Sequence, residues 1–206
     1  MISPDKSLGV RALRNAAPYI RLYKGKTFVI KAGGAVFGDA AATRALIEQI
    51  AILHYLGIKV VMVHGGGPQL TEITEAMGVP TKMIQGRRVT DEKALDATAM
   101  VLNGLINTKL LAICRELEIE AVGVSGVDAG LIKAHKRGPV NVEGQVVDYG
   151  FVGDIDLVDE SVLKKLLDSG LMPVVSPLSA DEKGQILNIN ADTVAAAIGS
   201  ALKAEK

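Results

Sequence analysis

The chain has 206 residues, enough for one large domain or two small ones; 49% are apolar and only 3% aromatic, so the core must be built from Val, Ile, Leu and Ala, the composition of a parallel sheet covered by helices. Lys+Arg and Asp+Glu balance at 23 each, which excludes a net field that would draw nucleic acid or an anionic membrane surface. The one cysteine, Cys114, excludes an internal disulfide framework and a multi-cysteine metal site.

Met1-Ile2-Ser3-Pro4-Asp5-Lys6 lacks the basic-then-apolar plan of a signal peptide, and no run approaches the length of a transmembrane helix, so a cytoplasmic protein is expected. Leu8 to Tyr23 is amphipathic at helical spacing, with Leu8, Ala12, Ala16 and Tyr19 on one side and Arg11 and Arg14 away from it; Pro18 should kink or divide it. Thr27 to Lys31 reads as a strand. Asp39 caps a helix to about Leu56, stopped by Gly57. Ile58 to Val63 is a second buried strand, and Pro68 suits the first turn of a helix ending near Gly78. Lys82 to Val89 is a short hairpin or irregular strand, and Asp91 opens a long helix to about Glu118. Cys114 falls within it and reads as a small buried hydrophobe. Ala121 to Val124 is a third core strand. From Ile132 to Asp156 the pattern changes to short polar strands with glycine turns. A helix from Ser161 to Leu167, a buried strand from Met172 to Ser176, an extended segment from Ile186 to Asn190 and a helix from Asp192 to Lys203 complete the chain. The expected fold is α/β, a mainly parallel sheet sandwiched by helices, with an antiparallel hairpin insertion.

Two motifs are set aside. Gly25-Lys26-Thr27 resembles the end of a Walker loop, but Ile20 stands where its first glycine belongs and a strand follows rather than precedes it. No G-x-G-x-x-G dinucleotide fingerprint is present.

Two glycine tracts carry more weight. Phe28-Val29-Ile30 leads into Lys31-Ala32-Gly33-Gly34, and Val60-Val61-Met62-Val63 leads into His64-Gly65-Gly66-Gly67-Pro68. Each sits where a buried strand hands over to a helix, and glycine there lets backbone N–H groups approach an anion. Lys31 and the Gly33-Gly34 turn are placed to meet one phosphate; the competing reading is a lysine that points into water. For the three glycines after His64 the competing reading is close packing of a helix on the sheet, and a nest for a carboxylate or phosphate is favoured. His64 itself reads as a hydrogen-bonding support. Gly86-Arg87-Arg88-Val89-Thr90-Asp91 puts two arginines before a helix, either as a solvated turn or as a fork for a carboxylate. Asn188-Ile189-Asn190-Ala191-Asp192 places three polar side chains on one face of an extended segment. The competing reading there has Asp192 merely capping the last helix.

Taken in this order, with Gly123-Val124-Ser125-Gly126, these pieces resemble the amino acid kinase superfamily and, within it, the N-acetylglutamate kinases. The resemblance runs from about Tyr19 to the end. It implies ATP-dependent phosphorylation of the γ-carboxylate of N-acetyl-L-glutamate in arginine biosynthesis, with Mg2+ carried by ATP and no metal held by the protein itself. It implies that Lys31 contacts the transferring phosphoryl group and Asp192 organises the catalytic lysines. Gly33 and Gly34 form the phosphate loop, and Gly65 and Gly66 donate to the substrate. Arg88 binds the α-carboxylate, while Asn188 and Asn190 hold the acetylamino acid. Residues 1–24 look like a helical extension through which dimers build a hexamer, and 25–206 like the amino-acid-substrate domain; the expected assembly is a homo-oligomer.

Members of that family continue past a segment like Ala201-Leu202-Lys203 into a nucleotide domain, so the chain alone is expected to be poorly active. Rival readings are the kinase-like regulatory domain of an N-acetylglutamate synthase, a kinase for carrier-linked aminoadipate, and a non-catalytic oligomerisation module. Lys31 with the asparagine–aspartate strip argues against the first, and the uninterrupted Gly86–Asp91 motif against the second.

Overall fold

The computed structural model describes residues 6–206, and for residues 6–8 the backbone only; Met1–Asp5, considered above for a leader, lies outside the described residues. Helix α1 (Lys6–Tyr23) runs through Pro18 without a break, where the sequence led us to expect a kink or division. Tyr23 in its last turn packs against the core, whereas Val10, Leu13, Tyr19 and Leu22 are exposed.

The central sheet is formed by β1 (Thr27–Ala32), β2 (Lys59–His64), β5 (Ala121–Ser125) and β10 (Met172–Ser176), in the order β1-β2-β10-β5. All its pairings are parallel, with Ala32 opposite His64 and Ser176 opposite Ser125. Parallel strands need crossover connections, and helices supply them on both faces. Helix α2 (Ala40–Tyr55) starts at Asp39, whose Oδ1 accepts the Ala42 N–H at 2.7 Å. Helix α3 (Gly67–Ala76) follows β2 directly with Pro68 in its first turn. The hairpin β3 (Lys82–Ile84) and β4 (Arg87–Val89) precedes α4 (Glu92–Thr98), capped by Asp91.

Helix α4 does not run on regularly into α5 (Asn107–Glu116). Residues Ala99–Ile106 between them form a π-helix. Together they make one helix, Glu92–Glu116, that is long and apolar enough by composition to cross a membrane, against our expectation that no run would be. Its apolar face explains this: Ala97, Val101, Leu102, Ile106, Leu110 and Cys114 lie in the core with Val60 and Met62 of β2. The alternate residues Val61 and Val63 face a second core with Val194 and Ile198 of α7 (Ala191–Leu202) and Leu163 and Leu167 of α6 (Glu160–Asp168). The side-chain alternation of β2 thus divides two cores.

The polar region after β5 is more than a hairpin insertion. Strands β6 (Ile132–Lys136), β9 (Gly153–Val158), β11 (Leu178–Ala180) and β12 (Ile186–Asn188) form a second four-stranded sheet, β12-β11-β6-β9. Strands β7 (Val140–Val142) and β8 (Gln145–Val147) form a separate hairpin. At the chain's end, Glu205 N–H donates to Thr27 O and Lys206 O accepts from Val29 N–H, along the outer edge of β1.

Candidate active site

Strands β1 and β2 end side by side, so the two glycine turns that follow them touch. A Cβ added at Gly34 would lie 2.9 Å from Gly66 Cα and 2.8 Å from Pro68 Cδ. The cleft above them encloses about 510 Å³ at the C-terminal ends of the parallel strands, where open α/β sheets commonly bind ligands. Lys31, Gly33, Gly34, Gly65, Gly66, Arg88, Asn188, Asn190 and Asp192 all line it. Residues spread over most of the sequence therefore meet in one place.

Lys31, the penultimate residue of β1, points its Nζ to within 3.0 Å of Asp192 Oδ1 in the first turn of α7. Asp192 is not the cap of that helix. The cap is Asn190, whose Oδ1 accepts the N–H groups of Asp192 at 2.9 Å and Thr193 at 3.1 Å. Capping by Asn190 leaves the Asp192 carboxylate available to Lys31. Strand β12 ends at Asn188, so the three polar residues share the cleft through a strand-to-helix corner rather than one extended face. Asn188 Nδ2 donates to Thr90 Oγ1 at 3.2 Å.

Arg88, from the β3–β4 hairpin, is held open. Its Nη1 donates to Thr81 Oγ1 at 2.7 Å and its Nη2 to Thr71 Oγ1 at 2.6 Å. A further bond runs from Nη2 to Gly67 O at 3.3 Å; all three partners are neutral, and none of them is a carboxylate. Burial draws its pKa below the ordinary value, with Glu75 pulling the other way. An anion entering the cleft would relieve that cost. Thr71 and Thr81 were not anticipated from the sequence; their distance from Arg88 along the chain gives no local signal. Arg137 also lines the cleft, but it forks onto Asp154, with Nε 3.0 Å from Oδ2. Its charge is therefore already matched, and this bond is the main reason the Asp154 pKa is lowered.

The second glycine tract serves both readings raised above. Packing also favours glycine at 66: a Cβ there would stand 2.2 Å from Ile106 Cδ1 and 2.7 Å from Leu102 Cδ2, so those side-chain ends would have to move. Gly65 and Gly67 meet no such obstacle. Gly123-Val124-Ser125-Gly126 lies elsewhere; Gly126 donates to Leu178 O at 2.7 Å and borders a separate hollow.

Gly150 ties the arginine hairpin to the second sheet. It has φ +74°, and a Cβ would sit 2.2 Å from the backbone oxygen of Thr90. That oxygen accepts the Phe151 N–H at 2.7 Å. Gly150→Ala should cost about 1–3 kcal/mol, since strain and overpacking coincide. Gly138→Ala, at an open site, should be nearly neutral. Urea unfolding of both variants checks this; equal midpoints would show that the corner yields freely.

A match to the amino acid kinase family covers residues 26–206. The chain belongs to the amino acid kinase family. Within it, the chain is 49% identical to the acetylglutamate kinase of Myxococcus xanthus, over all of this chain and 68% of that protein. It is 44% identical to the acetylglutamate kinase of Methanocorpusculum labreanum, over 94% of this chain and 67% of that one. Among solved structures, N-acetylglutamate synthase from Neisseria gonorrhoeae complexed with coenzyme A and N-acetyl-glutamate superposes with a TM-score of 0.80 at 28% identity, over 95% of this chain and 44% of the synthase. Carbamate kinase from Giardia lamblia shares the fold, with a TM-score of 0.54 at 21% identity. The higher identities favour the acetylglutamate kinases over the synthase reading.

Proposed function

We propose that this amino acid kinase phosphorylates the γ-carboxylate of N-acetyl-L-glutamate with ATP, and that residues 25–206 act as the acetylglutamate-binding unit. The observation that carries this is Arg88, a guanidinium steadied by neutral threonines in the same cleft as Lys31. A cation whose hydrogen-bond partners are all neutral suits the α-carboxylate. In the same cleft Lys31, beside the Gly33-Gly34 turn, suits the oxygens of a transferring phosphoryl group. Asn188 and Asn190 line the same cleft and suit the amide of the acetylamino acid.

The carboxylate nucleophile is ionised at neutral pH, so no general base is needed. Catalysis then consists of positioning and of stabilising charge as it develops. Mg2+ would arrive on the ATP phosphates, which need no dedicated protein cage. The exposed apolar side chains of α1 support a homo-oligomer, a dimer or, through that helix, a hexamer; the biosynthetic role supports a cytoplasmic location.

Calorimetric and thermal-shift titration with N-acetylglutamate tests the reading. Saturation at a hundred times Kd should add ~2.7 kcal/mol of stability. Arg88→Ala should weaken binding about 10- to 100-fold, the loss of a hydrogen bond to a charged group. A chain that ignores N-acetylglutamate, or an Arg88→Ala variant that binds it as tightly as the parent, would sink the proposal.

A further inference from the structure

We propose that Asn107 is a positioning residue of the substrate cleft, acting through His64 on the Gly65–Gly66 peptide. The inference rests on the reading of the cleft as an acetylglutamate site and assigns it a buried support.

Asn107 and His64 are both buried, at 3% and 0% exposure. The Asn107 amide lies 3.1 Å from His64 Nε2 and 3.0 Å from Val174 O. Val174 O can only accept, so the NH₂ group of the amide faces this side. Giving its other proton to His64 Nε2 makes that nitrogen an acceptor and leaves the ring proton on Nδ1. His64 Nδ1 lies 3.1 Å from Gly65 O, so Nδ1–H donates to that carbonyl.

A trans peptide is planar, and its N–H points opposite to its C=O. Holding the Gly65 carbonyl toward the buried imidazole therefore turns the Gly66 N–H away from the interior. Two further features fit the same purpose. At Gly123 a Cβ would lie 2.0 Å from Asn107 Oδ1, so that strand residue is bare where the amide sits. Immediately before Asn107, the π-helix presses Leu102 and Ile106 against Gly66. One segment thus holds the glycine turn by packing and, one residue later, by hydrogen bonds. π-Helical segments are rare and recur at functional sites.

The test is N-acetylglutamate binding by the full chain, read with the ¹⁵N resonances of the His64 ring. In the unchanged chain His64 should show the Nδ1–H form, and its Nδ1 proton should shift when N-acetylglutamate saturates the protein. Asn107→Ala should relax the tautomer toward Nε2–H and weaken binding at least tenfold. Ile113→Ala, which empties space farther along the same helix, should lower the melting temperature yet leave Kd within about twofold. Should Asn107→Ala fail to fold, the ligand-induced shift in the unchanged chain decides: a His64 signal that does not move on saturation overturns the proposal. So does an Asn107→Ala chain that binds as tightly as its parent. An unchanged chain with no affinity for N-acetylglutamate is a different failure, which removes the functional reading and this inference with it.

Discussion

In the complete enzyme, Lys31→Ala is expected to lower the rate of acetylglutamate phosphorylation by ~10²–10³, the usual loss when one preorganised donor to developing charge is removed. The position is fixed before substrate arrives. Lys31 pairs with Val63 in the β1–β2 ladder, so its backbone does not wander, and Asp192 sets the direction of the ammonium. The Asp192 side chain is 70% exposed, and an ion pair so wet adds little to stability; its value lies in aim. The Kd for N-acetylglutamate should change little, because the α-carboxylate and amide are gripped elsewhere. Turnover should fall while ground-state binding persists, the pattern of an interaction made in the transition state. Initial rates of ADP release at saturating substrate, each relative to the unchanged complete enzyme, provide the measurement. Equal rates would remove Lys31 from the chemistry.

What the sequence disclosed and what it concealed divide by range. Strands β1 and β2, the caps Asp39 and Asp91, and the two glycine turns are written in a few neighbouring residues, and local patterning finds them. Convergence of Lys31, Arg88, Asn188, Asn190 and Asp192 on one cleft was legible only through the family resemblance, since nothing local joins Arg88 to Lys31. The second sheet escaped because its pairings, such as Ala180 with Lys133, join distant short strands of weak pattern. The π-helix escaped for a related reason: its apolar spacing differs from an α-helix by one residue, and packing on Gly66 fixes it. Asn190 displaced Asp192 as the cap because both are good caps, and only the position of β12 chooses between them. The glycine of Gly66 was read as anion chemistry, and the structure adds a steric reason from Leu102 and Ile106 that no spacing near Gly66 reveals.

Stability should drop by about 3 kcal/mol as the pH falls from neutral to about 4, through His64 alone. Burial at the end of β2 pushes its pKa down from 6.5 to about 4, only partly offset by the bond to Gly65 O. The sign follows from proton counting. Between these values the unfolded chain binds a proton at His64 and the folded chain does not, so acid favours unfolding. The contribution is complete above pH 6.5, shrinks through the interval, and is gone below about 4, where both states are protonated. Each pKa unit corresponds to 1.36 kcal/mol, which gives the stated total. Asn107 deepens the effect in kind, because a protonated Nε2 would confront its NH₂ group with no acceptor between them. Carboxylates also lose stabilisation in acid, so the informative quantity is a difference: urea midpoints from pH 4 to 7.5 for the parent and for His64→Gln, which cannot titrate. Parent stability should fall more steeply with acid than the variant's, and the gap in slope should close above pH 7. Parallel curves would mean that His64 is protonated in the folded protein at an ordinary pKa, and an imidazolium could not accept the Asn107 hydrogen bond on which the cleft floor is built.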